Sequence, residues 1–409
     1  MECSDKMELF CDIKYWEEAI SKGINKGIDK ELLSLLSDPR GRASLINAIE
    51  NGDYKISPPK VSQIPKANGK VREIYINDKM DRIVLSIINR VYYDIYKDKI
   101  HTSCVSYQKG IGVPKIVRNL SQRLTCGEKG YKIDLSKYFD SVNKETLIKT
   151  LEELNTDSPL DDILYDYYTD DRVYIDGEIV ERYKSIAQGC AFGTLLANII
   201  LYDIDEYISA MDVLYLRYSD DILILGNDAD KAMDALQVML KPKGLSINPD
   251  KVDFIDKNKE FTFLGAKIKG KEIDMSDESI LKYKKKIKEI TKMRKGMKTK
   301  DRNTQKIAIK RINKYLYEDN MKNSKEFGWG RYFFNLVNTD ETLKKLDEFT
   351  KDHIKHMYTG KWNHTTNMHK TSNEQLMDMG YKSLVHMYSC YNLDSNLYES
   401  EIIKKKVSA

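Results

Sequence analysis

The sequence has 409 residues, of which 41% are hydrophobic, so it can bury a core and lacks the composition of a disordered chain. Its formal net charge is only +4. Because no apolar run reaches the roughly 18 residues of a membrane helix, we expect a cytoplasmic protein without a membrane segment. Six scattered cysteines without a Cys-x-x-Cys pair indicate neither a disulfide framework nor a thiolate zinc site.

The first part of the chain predicts helices and then a hairpin. Residues 1–55 carry apolar side chains at helical spacing, and a Pro-Pro pair at residues 58–59 marks a boundary. Residues 56–130 combine a hairpin that turns at Asn68-Gly69 with an amphipathic helix from Arg82 to about Tyr96.

The later part predicts a sheet and then helices. Residues 131–270 indicate antiparallel strands with helices on one face, one of them from Thr194 to Met211. From residue 271 the chain is predicted to be helical, and residues 281–314 hold 15 Lys or Arg against two acids, a local charge of +13. Apolar stripes at helical spacing accompany these charges, at Ile280, Ile287, Ile290, Met293 and Met297 and then at Ile309, Ile312 and Leu316.

Three aspartates follow or join apolar, β-rich runs. Asp134 ends such a run in residues 131–140 (YKIDLSKYFD), and Asp220-Asp221 joins two runs in residues 213–225 (VLYLRYSDDILIL), which predicts a hairpin with the acids at its tip. Buried strands would hold these carboxylates rigidly, as octahedral Mg²⁺ requires. The pattern predicts a site for two Mg²⁺ ions, with Mn²⁺ as a substitute, that performs nucleotidyl transfer.

A second stretch, Tyr168-Thr-Asp-Asp171, repeats the Tyr-x-Asp-Asp pattern of Tyr218-Ser-Asp-Asp221. The residues before it are polar or acidic, so we interpret it as a surface turn. The order along the chain separates the two matches, because Asp134 comes first, residues 187–190 (AQGC) second and the Asp220-Asp221 pair third.

This succession resembles motifs A, B and C of the reverse transcriptases. Residues 64–72 (IPKANGKVR) resemble the fingers hairpin of that family, and residues 106–110 (SYQKG) resemble a shortened form of the segment before motif A. Residues 244–251 (GLSINPDK) resemble motif D, and residues 261–265 (FTFLG) resemble motif E. The resemblance implies an α+β right-hand polymerase with an antiparallel palm sheet and a C-terminal α-helical, thumb-like region.

The resemblance also divides the chain and gives roles to single residues. It implies an N-terminal helical segment (1–55), fingers (56–130), a palm with the catalytic site (131–270) and a helical thumb or nucleic-acid-binding region (271–409). The implied catalytic and metal-binding residues are Asp134, Asp220 and Asp221. The implied nucleotide-binding residues are Lys66, Arg72, Phe139, Gln188, Gly189, Tyr218 and Lys251.

Each of these nucleotide contacts has a specific chemistry and an alternative. Lys66 and Arg72 would clamp the β- and γ-phosphates, or else be solvated hairpin charges. The ring of Phe139 would reject a ribose 2′-hydroxyl, or else belong to the core. Lys251 would protonate the departing pyrophosphate, and Tyr218 would lie against the primer end or be structural.

The basic segment has two interpretations. It is either a thumb-like helical pair that follows the phosphate backbone of a primer–template duplex or a pair of solvated, lysine-rich helices. The candidate nucleic-acid-binding residues are Lys284, Lys285, Lys288, Lys292, Arg294 and Lys295.

Some residues depart from the group II intron type of reverse transcriptase. Ala187 and Gly193-Thr194 stand where that type carries Pro and Ser-Pro, and tail residues 328–334 and 380–384 resemble the unknown-group and abortive-infection reverse transcriptases of bacterial phage defence. That resemblance implies a bacterial cytoplasmic enzyme that makes DNA from dNTPs on a structured non-coding RNA. Template-independent or protein-primed synthesis, a catalytically inactive RNA-binding scaffold and self-association as a homo-oligomer remain open.

Overall fold

The computed structural model describes residues 3–25, 27–65, 71–108, 110–124, 128–256, 259–292, 301–317, 328–360, 362, 367 and 370–392. Within these ranges no helix combines the length and the apolar character needed to cross a membrane. The chain groups into two compact units, Met1–Lys109 with Glu128–Asp256, and Gly110–Gly127 with Lys257–Ala409. The domain limits expected at residues 55, 130 and 270 divide the chain by role and stay a prediction.

Most of the described chain is helical. In chain order the helices are α1 (Cys3–Cys11), α2 (Ile13–Asn25), α3 (Lys30–Ser37), α4 (Pro39–Glu50), α5 (Lys79–Tyr96), α6 (Val113–Arg123), α7 (Tyr138–Ser141), α8 (Lys144–Leu154), α9 (Pro159–Thr169), α10 (Gly193–Ile199), α11 (Tyr202–Ser209), α12 (Ala229–Leu240), α13 (Asp277–Thr291), α14 (Arg302–Tyr317), α15 (Trp329–Leu336) and α16 (Glu341–Thr359). A short helix covers Asn373–Asp378, and residues 384–392 are helical.

The described strands form three sheets. They are β1 (Lys60–Pro65), β2 (Val71–Ile76), β3 (Gly130–Asp134), β4 (Arg172–Ile175), β5 (Glu178–Glu181), β6 (Val213–Tyr218), β7 (Asp221–Gly226), β8 (Asp253–Ile255), β9 (Phe261–Phe263), β10 (Ala266–Lys269) and β11 (Glu272–Met275). The strand orders are β2-β1-β4-β5 and β6-β7-β3-β8 in the first unit and β11-β10-β9 in the second. The predicted α+β class with an antiparallel sheet around the acids is confirmed.

The sheet β6-β7-β3-β8 is antiparallel throughout. The central strand β7 holds a continuous apolar run at residues 222–225 (ILIL), and Ile133 of β3, Ile222 and Ile224 are fully buried. Burial of these side chains contributes to stability and also fixes the register, because a one-residue slip would turn each strand's buried set to the other face. The register pairs Asp134 with Asp221 at the ends of β3 and β7.

The predicted continuous helix from Thr194 to Met211 is wrong, because the structure has two helices, α10 and α11, with a turn at residues 200–201. The guanidinium of Arg217 donates to the carbonyl oxygens of Ala197 (3.2 Å) and Asn198 (3.0 Å), and Tyr138 Oη donates to Ala197 as well. A continuous helix would use these carbonyls for residues 201 and 202. Two distant side chains thus replace the helical hydrogen bonds at the turn.

Arg217 on β6 and Asp205 on α11 form a fully buried ion pair. The guanidinium donates to both carboxylate oxygens, at 2.7 Å from Nε and 2.5 Å from Nη2, and Tyr215 Oη donates to the same carboxylate at 2.7 Å. A buried charge requires this degree of pairing, because desolvation without a partner costs several kcal/mol. The pair therefore fastens α11 to the hairpin that carries Asp220.

The second unit combines the β9-β10-β11 sheet with helices. The helical prediction from residue 271 is therefore wrong at β11, because residues 272–275 pair with β10 as an antiparallel strand and the helices begin at α13. Ser276 caps α13, accepting from Ser279 N at 3.3 Å, and the stripe expected in α14 is buried at Ile309, Ile312 and Leu316. Asp347 on α16 accepts from Tyr381 Oη and from Leu384 N, both at 2.8 Å, which holds residues 381–384 against that helix. Met293 and Met297 lie outside the described residues.

Replacing Asp205 with Asn should lower the free energy of unfolding by about 3 to 5 kcal/mol, because Arg217 would stay buried without its counter-charge. Asp203→Asn on the same helix is the matched control. Asp203 pairs with Lys243 at 3.0 Å but is largely exposed, so its loss should cost less than about 1 kcal/mol. Urea denaturation measures both, and equal losses would contradict the role assigned to the buried pair.

Candidate active site

Backbone hydrogen bonds position the three predicted catalytic aspartates. Asp134 ends β3 opposite Asp221, which begins β7. Leu135 N donates to Asp220 O (3.0 Å), and Asn248 N donates to Asp134 O (2.9 Å). The carboxylates therefore stand at one edge of a paired sheet, and the hairpin predicted to carry the acids at its tip is present.

The turn before Asp220 depends on a left-handed residue. Ser219 has φ +59°, which is uncommon for a residue other than glycine, and its side chain is buried. Tyr107 Oη donates to Ser219 Oγ (3.3 Å), and the Tyr107 ring lies 6.2 Å from that of Tyr218. The side chain of Tyr107 thus supports the turn that presents Asp220.

Tyr107 was not among the predicted site residues, although its segment resembles the one that precedes motif A. Burial raises the pKa of the Tyr107 phenol. The positive charge of Arg72 acts in the opposite direction, so Arg72 is close enough to influence this phenol electrostatically. No local pattern marks Tyr107, because its partner Ser219 is 112 residues away in the chain.

The acids influence each other electrostatically. Burial raises the pKa of Asp221 to about 6, and the negative charges of Asp220 and Asp134 act in the same direction. Burial and the charge of Asp134 also raise the pKa of Asp220 above its ordinary value. Carboxylates that disfavour each other's ionisation are typical of a site that takes cations or protons.

Lys251 reaches this group of acids from a 3₁₀ turn, Pro249–Lys251. Its Nζ donates to Asp134 Oδ2 at 2.7 Å, and its side chain is more than half exposed. The structure therefore brings the predicted proton donor beside the predicted metal ligands, with its exposed ammonium group next to the carboxylate edge.

The donor chemistry of the three aspartates suits Mg²⁺ or Mn²⁺, which prefer carboxylate oxygens. A cation would also offset the negative charges of Asp220 and Asp134, which add to burial in raising the pKa of Asp221. Among the residues that the structure describes, no three His, Cys, Asp or Glu side chains converge as a formed metal site.

Phe139 lies five residues after Asp134 and is half-buried. Its ring packs edge to face on Tyr138 at 5.7 Å, and Tyr138 is held by its bond to Ala197 O. Phe139 O accepts from Ile186 N (3.2 Å), which joins this turn to the segment that leads to Gln188. The ring is therefore backed by a fully packed neighbour.

Gln188 and Gly189 pair with β2. Tyr75 N donates to Gln188 O at 2.7 Å, and a Cβ on Gly189 would lie 2.7 Å from Tyr75 O. Gly189 also has φ +113°, which side chains rarely tolerate. The backbone that approaches Gly189 closely is the chain's own strand β2, and the predicted contact of Gly189 with the nucleotide stays a prediction.

The remaining predicted residues divide between those the structure describes and those outside it. Arg72 lies exposed on β2, and Lys285, Lys288 and Lys292 are exposed at and just after the end of α13, with Lys284 partly buried among them. The residues outside the described ranges are Lys66, Arg294 and Lys295.

The second Tyr-x-Asp-Asp stretch differs from the first. Tyr168 is buried near the end of α9, Asp170 pairs with Arg172 at 2.9 Å, and Asp171 pairs with Lys144 at 2.6 Å. These aspartates occupy the turn between α9 and β4, as expected for a turn, whereas the tyrosine belongs to the core. The pattern alone therefore does not define the site.

Comparisons with known proteins identify sequences and structures to which the chain is similar. The family described as Reverse transcriptase (RNA-dependent DNA polymerase) matches residues 64–268, half of the 409 residues. Protein YkfC of Escherichia coli (strain K12) is 24% identical over 261 residues, covering 53% of this chain and 68% of YkfC. A "Reverse transcriptase-like protein" of Chlamydomonas reinhardtii is 25% identical over 236 residues, covering 53% of this chain and 60% of that protein.

Among solved structures, apo telomerase from Candida tropicalis aligns with a TM-score of 0.47 and 11% identity. The alignment covers 82% of this chain and 62% of the telomerase chain.

The raised pKa of Asp221 predicts that the free energy of unfolding depends on pH when a chelator keeps the protein free of divalent cations. Because the folded-state pKa is raised, the folded protein binds more protons than the unfolded chain between pH of about 4 and about 6. The free energy of unfolding should therefore fall by up to about 3 kcal/mol as pH rises through this window. Urea denaturation of the protein and of Asp221→Asn, which should lack this contribution, measures it.

Asp253→Asn is the matched control for this titration, since Asp253 is an exposed carboxylate on β8 of the same sheet. It should retain the full decrease. A decrease that persists in Asp221→Asn would contradict the assignment to Asp221, and Mg²⁺ at pH 7 should stabilise the unsubstituted protein more than Asp221→Asn.

Proposed function

Because the chain belongs to the reverse transcriptase family of RNA-dependent DNA polymerases, we propose that it makes DNA from deoxynucleoside triphosphates on an RNA template. The observation that carries the proposal is the register of β3 and β7, which sets Asp134 against Asp221 beside Asp220. Carboxylates held at one sheet edge provide the oxygen ligands that nucleotidyl transfer needs.

Asp134, Asp220 and Asp221 would hold two divalent cations. Mg²⁺ or Mn²⁺ held by these carboxylates would supply activation of the attacking hydroxyl and neutralisation of charge on the leaving phosphate. Lys251, 2.7 Å from Asp134, would donate a proton to the departing pyrophosphate. Arg72 would bind triphosphate oxygens bidentately, since its planar guanidinium matches phosphate geometry.

Phe139 would select deoxyribose. Its ring is supported by Tyr138, which is itself fully buried and hydrogen-bonded, so the ring cannot retreat at low cost. A ribose 2′-hydroxyl directed at this face would overlap the ring. The support of Phe139 by a packed neighbour favours dNTPs over ribonucleotides.

The template is proposed to be a dedicated, structured non-coding RNA, and the setting to be anti-phage defence in the bacterial cytoplasm. The resemblance of residues 328–334 and 380–384 to tail segments of the defence-associated reverse transcriptases supports both. Template-independent or protein-primed synthesis by the same aspartates is the second candidate, motivated by Ala187 and Gly193-Thr194 in motif B.

Sequencing the RNA that copurifies with the protein, together with any DNA made from labelled dNTPs and Mg²⁺, separates these candidates. DNA complementary to one discrete RNA is the expected result and would reveal the primer at its 5′ end. DNA that is unrelated to the RNA, and persists when the RNA is scrambled, would replace templated synthesis with the second candidate.

Asp220→Asn with Asp221→Asn should abolish incorporation, at least about a thousandfold, because both ligands lose their charge while the backbone register stays intact. Asp170→Asn with Asp171→Asn, in the second Tyr-x-Asp-Asp stretch, is the matched control and should remain active. Primer extension with labelled dNTPs measures both pairs. Full activity in the first pair would contradict the site, and an RNA-bound protein inactive with every divalent ion would indicate a scaffold.

Phe139→Ala should weaken discrimination against ribonucleotides by about tenfold or more, since removal of the ring opens space for the 2′-hydroxyl. Phe254→Ala is the control, because Phe254 is an exposed ring on β8 of the same unit. The ratio of kcat/KM for dNTP and rNTP is the measurement. An unchanged ratio in Phe139→Ala would show that sugar selection lies elsewhere.

A further inference from the structure

The second unit carries an exposed tryptophan in a cluster of rings. Trp362 is 63% exposed, and its ring stacks on His356 at 3.9 Å with an interplanar angle of 17°. His353 meets the same indole at 4.6 Å, and Phe349 lies 4.4 Å from His353. These four residues, Phe349, His353, His356 and Trp362, are called the ring platform below.

The ring platform is built on one face of α16. Positions 349, 353 and 356 are spaced by four and three residues, so their side chains follow one another along the helix for about 10 Å. Stacking on His356 fixes the orientation of Trp362 but covers only part of its surface. Trp16, by contrast, is fully buried, so packing alone does not explain an indole left largely in water.

Lysines of α13 accompany the rings. Lys284 Nζ lies 5.5 Å from the centre of the Phe349 ring, and the charge of Lys288 acts on His353. Their neighbours Lys282 and Lys286 are neutralised by Glu278 at 2.7 Å and Glu289 at 3.1 Å. In the part of the chain that the structure describes, no carboxylate pairs with Lys284 or Lys288.

The histidines act as rings here. His353 Nδ1 is 3.2 Å from Thr291 Oγ1, and both imidazoles contact the indole of Trp362. No group of metal-binding side chains forms among the described residues. Burial, together with the positive charge of Lys288, lowers the pKa of His353 to about 4, so this ring is neutral at pH 7 and the lysines supply the positive charge.

We propose that the ring platform binds an unpaired base of a single-stranded nucleic acid, with Lys284 and Lys288 on the adjacent phosphates. Aromatic faces beside unpaired cations are how proteins hold single strands without reading sequence. A base inside a duplex already has both faces covered by its neighbours, so the exposed indole can accept only an unpaired or terminal base. The inference rests on the proposed function only in taking nucleic acid as the ligand.

The site is distinct from the duplex contact expected of the same lysines. If the lysines contacted only phosphates, the affinities for duplex and single strand would follow the charge of each ligand. Both affinities would fall as the salt concentration rises. A stacking contact adds affinity only where a base face is free, about 5- to 100-fold per base. The two kinds of contact can therefore be separated by the ligand's bases.

Binding is measured on the full chain with Asp220→Asn and Asp221→Asn, so that no strand is extended. The probes are a single-stranded DNA and an RNA of one sequence, an abasic DNA of the same length and a duplex. Fluorescence anisotropy gives Kd, and quenching of tryptophan emission reports stacking on the exposed indole of Trp362. Base-bearing single strands should quench, and the abasic strand should not.

Trp362→Leu should weaken binding of the base-bearing single strands about 5- to 100-fold and leave the abasic strand and the duplex unchanged. Trp362→Phe, which keeps an aromatic face, should lose less. Val238→Ala on α12, where Val238 is 72% exposed, is the control for removal of an exposed apolar side chain and should bind normally. Tighter binding of RNA than DNA would assign the platform to the template strand, and the reverse to the product strand.

If Trp362→Leu binds the base-bearing strands with the same Kd as the protein that retains Trp362, the proposed role of the ring platform is overturned. Circular dichroism shows whether Trp362→Leu folds. If it does not, the test is the quenching of tryptophan emission in the protein that retains Trp362. Equal quenching by abasic and base-bearing strands would then overturn the proposal. Failure of the protein to incorporate dNTPs would contradict the proposed function and would leave these binding results standing.

Discussion

The antiparallel pairing of β3 with β7 is the interaction on which the candidate site depends. It brings Asp134 opposite Asp221 and beside Asp220, although burial raises the pKa of Asp221 to about 6 and the repelling charges of Asp220 and Asp134 act in the same direction. Buried isoleucines on both strands and the strand hydrogen bonds stabilise the register against this repulsion. Such an edge favours cations, and it explains why the exposed ammonium of Lys251 reaches Asp134.

The buried ion pair of Arg217 and Asp205 connects this edge to the rest of the first unit. Arg217 lies on β6 just before the turn that carries Asp220, and its guanidinium also holds the carbonyls at the end of α10. Tyr138 donates to one of those carbonyls and supports Phe139. One buried polar network, formed by Arg217, Asp205 and Tyr138, therefore adjoins both the proposed sugar-selecting ring and the hairpin that carries Asp220.

The second unit holds lysines on α13 that are exposed or partly buried, rather than fully buried like Arg217 and Asp205. Its α13 lysines alternate between those neutralised by glutamates and those without a carboxylate partner in the described residues, and Lys284 and Lys288 of the second kind accompany the rings of α16. Positive charge beside an exposed aromatic face is suited to a strand with free bases, whereas charge alone is suited to phosphate of any form. The basic segment seen in the sequence thus contains two kinds of surface.

The sequence by itself determined the α+β class, the hairpin with Asp220 at its tip and the reverse transcriptase family, because strand periodicity, turn residues and motif order are local properties. Tertiary structure alone decided the break between α10 and α11, the support of Ser219 by Tyr107 and the meeting of Trp362 with α16. The break exists because Arg217 and Tyr138 take helix carbonyls that no local pattern marks as lost. The bonds of Arg217, Tyr138 and Tyr107 join segments distant in the chain, whereas Trp362 is close in the chain to its partner His356. In each case only the folded packing makes the contact.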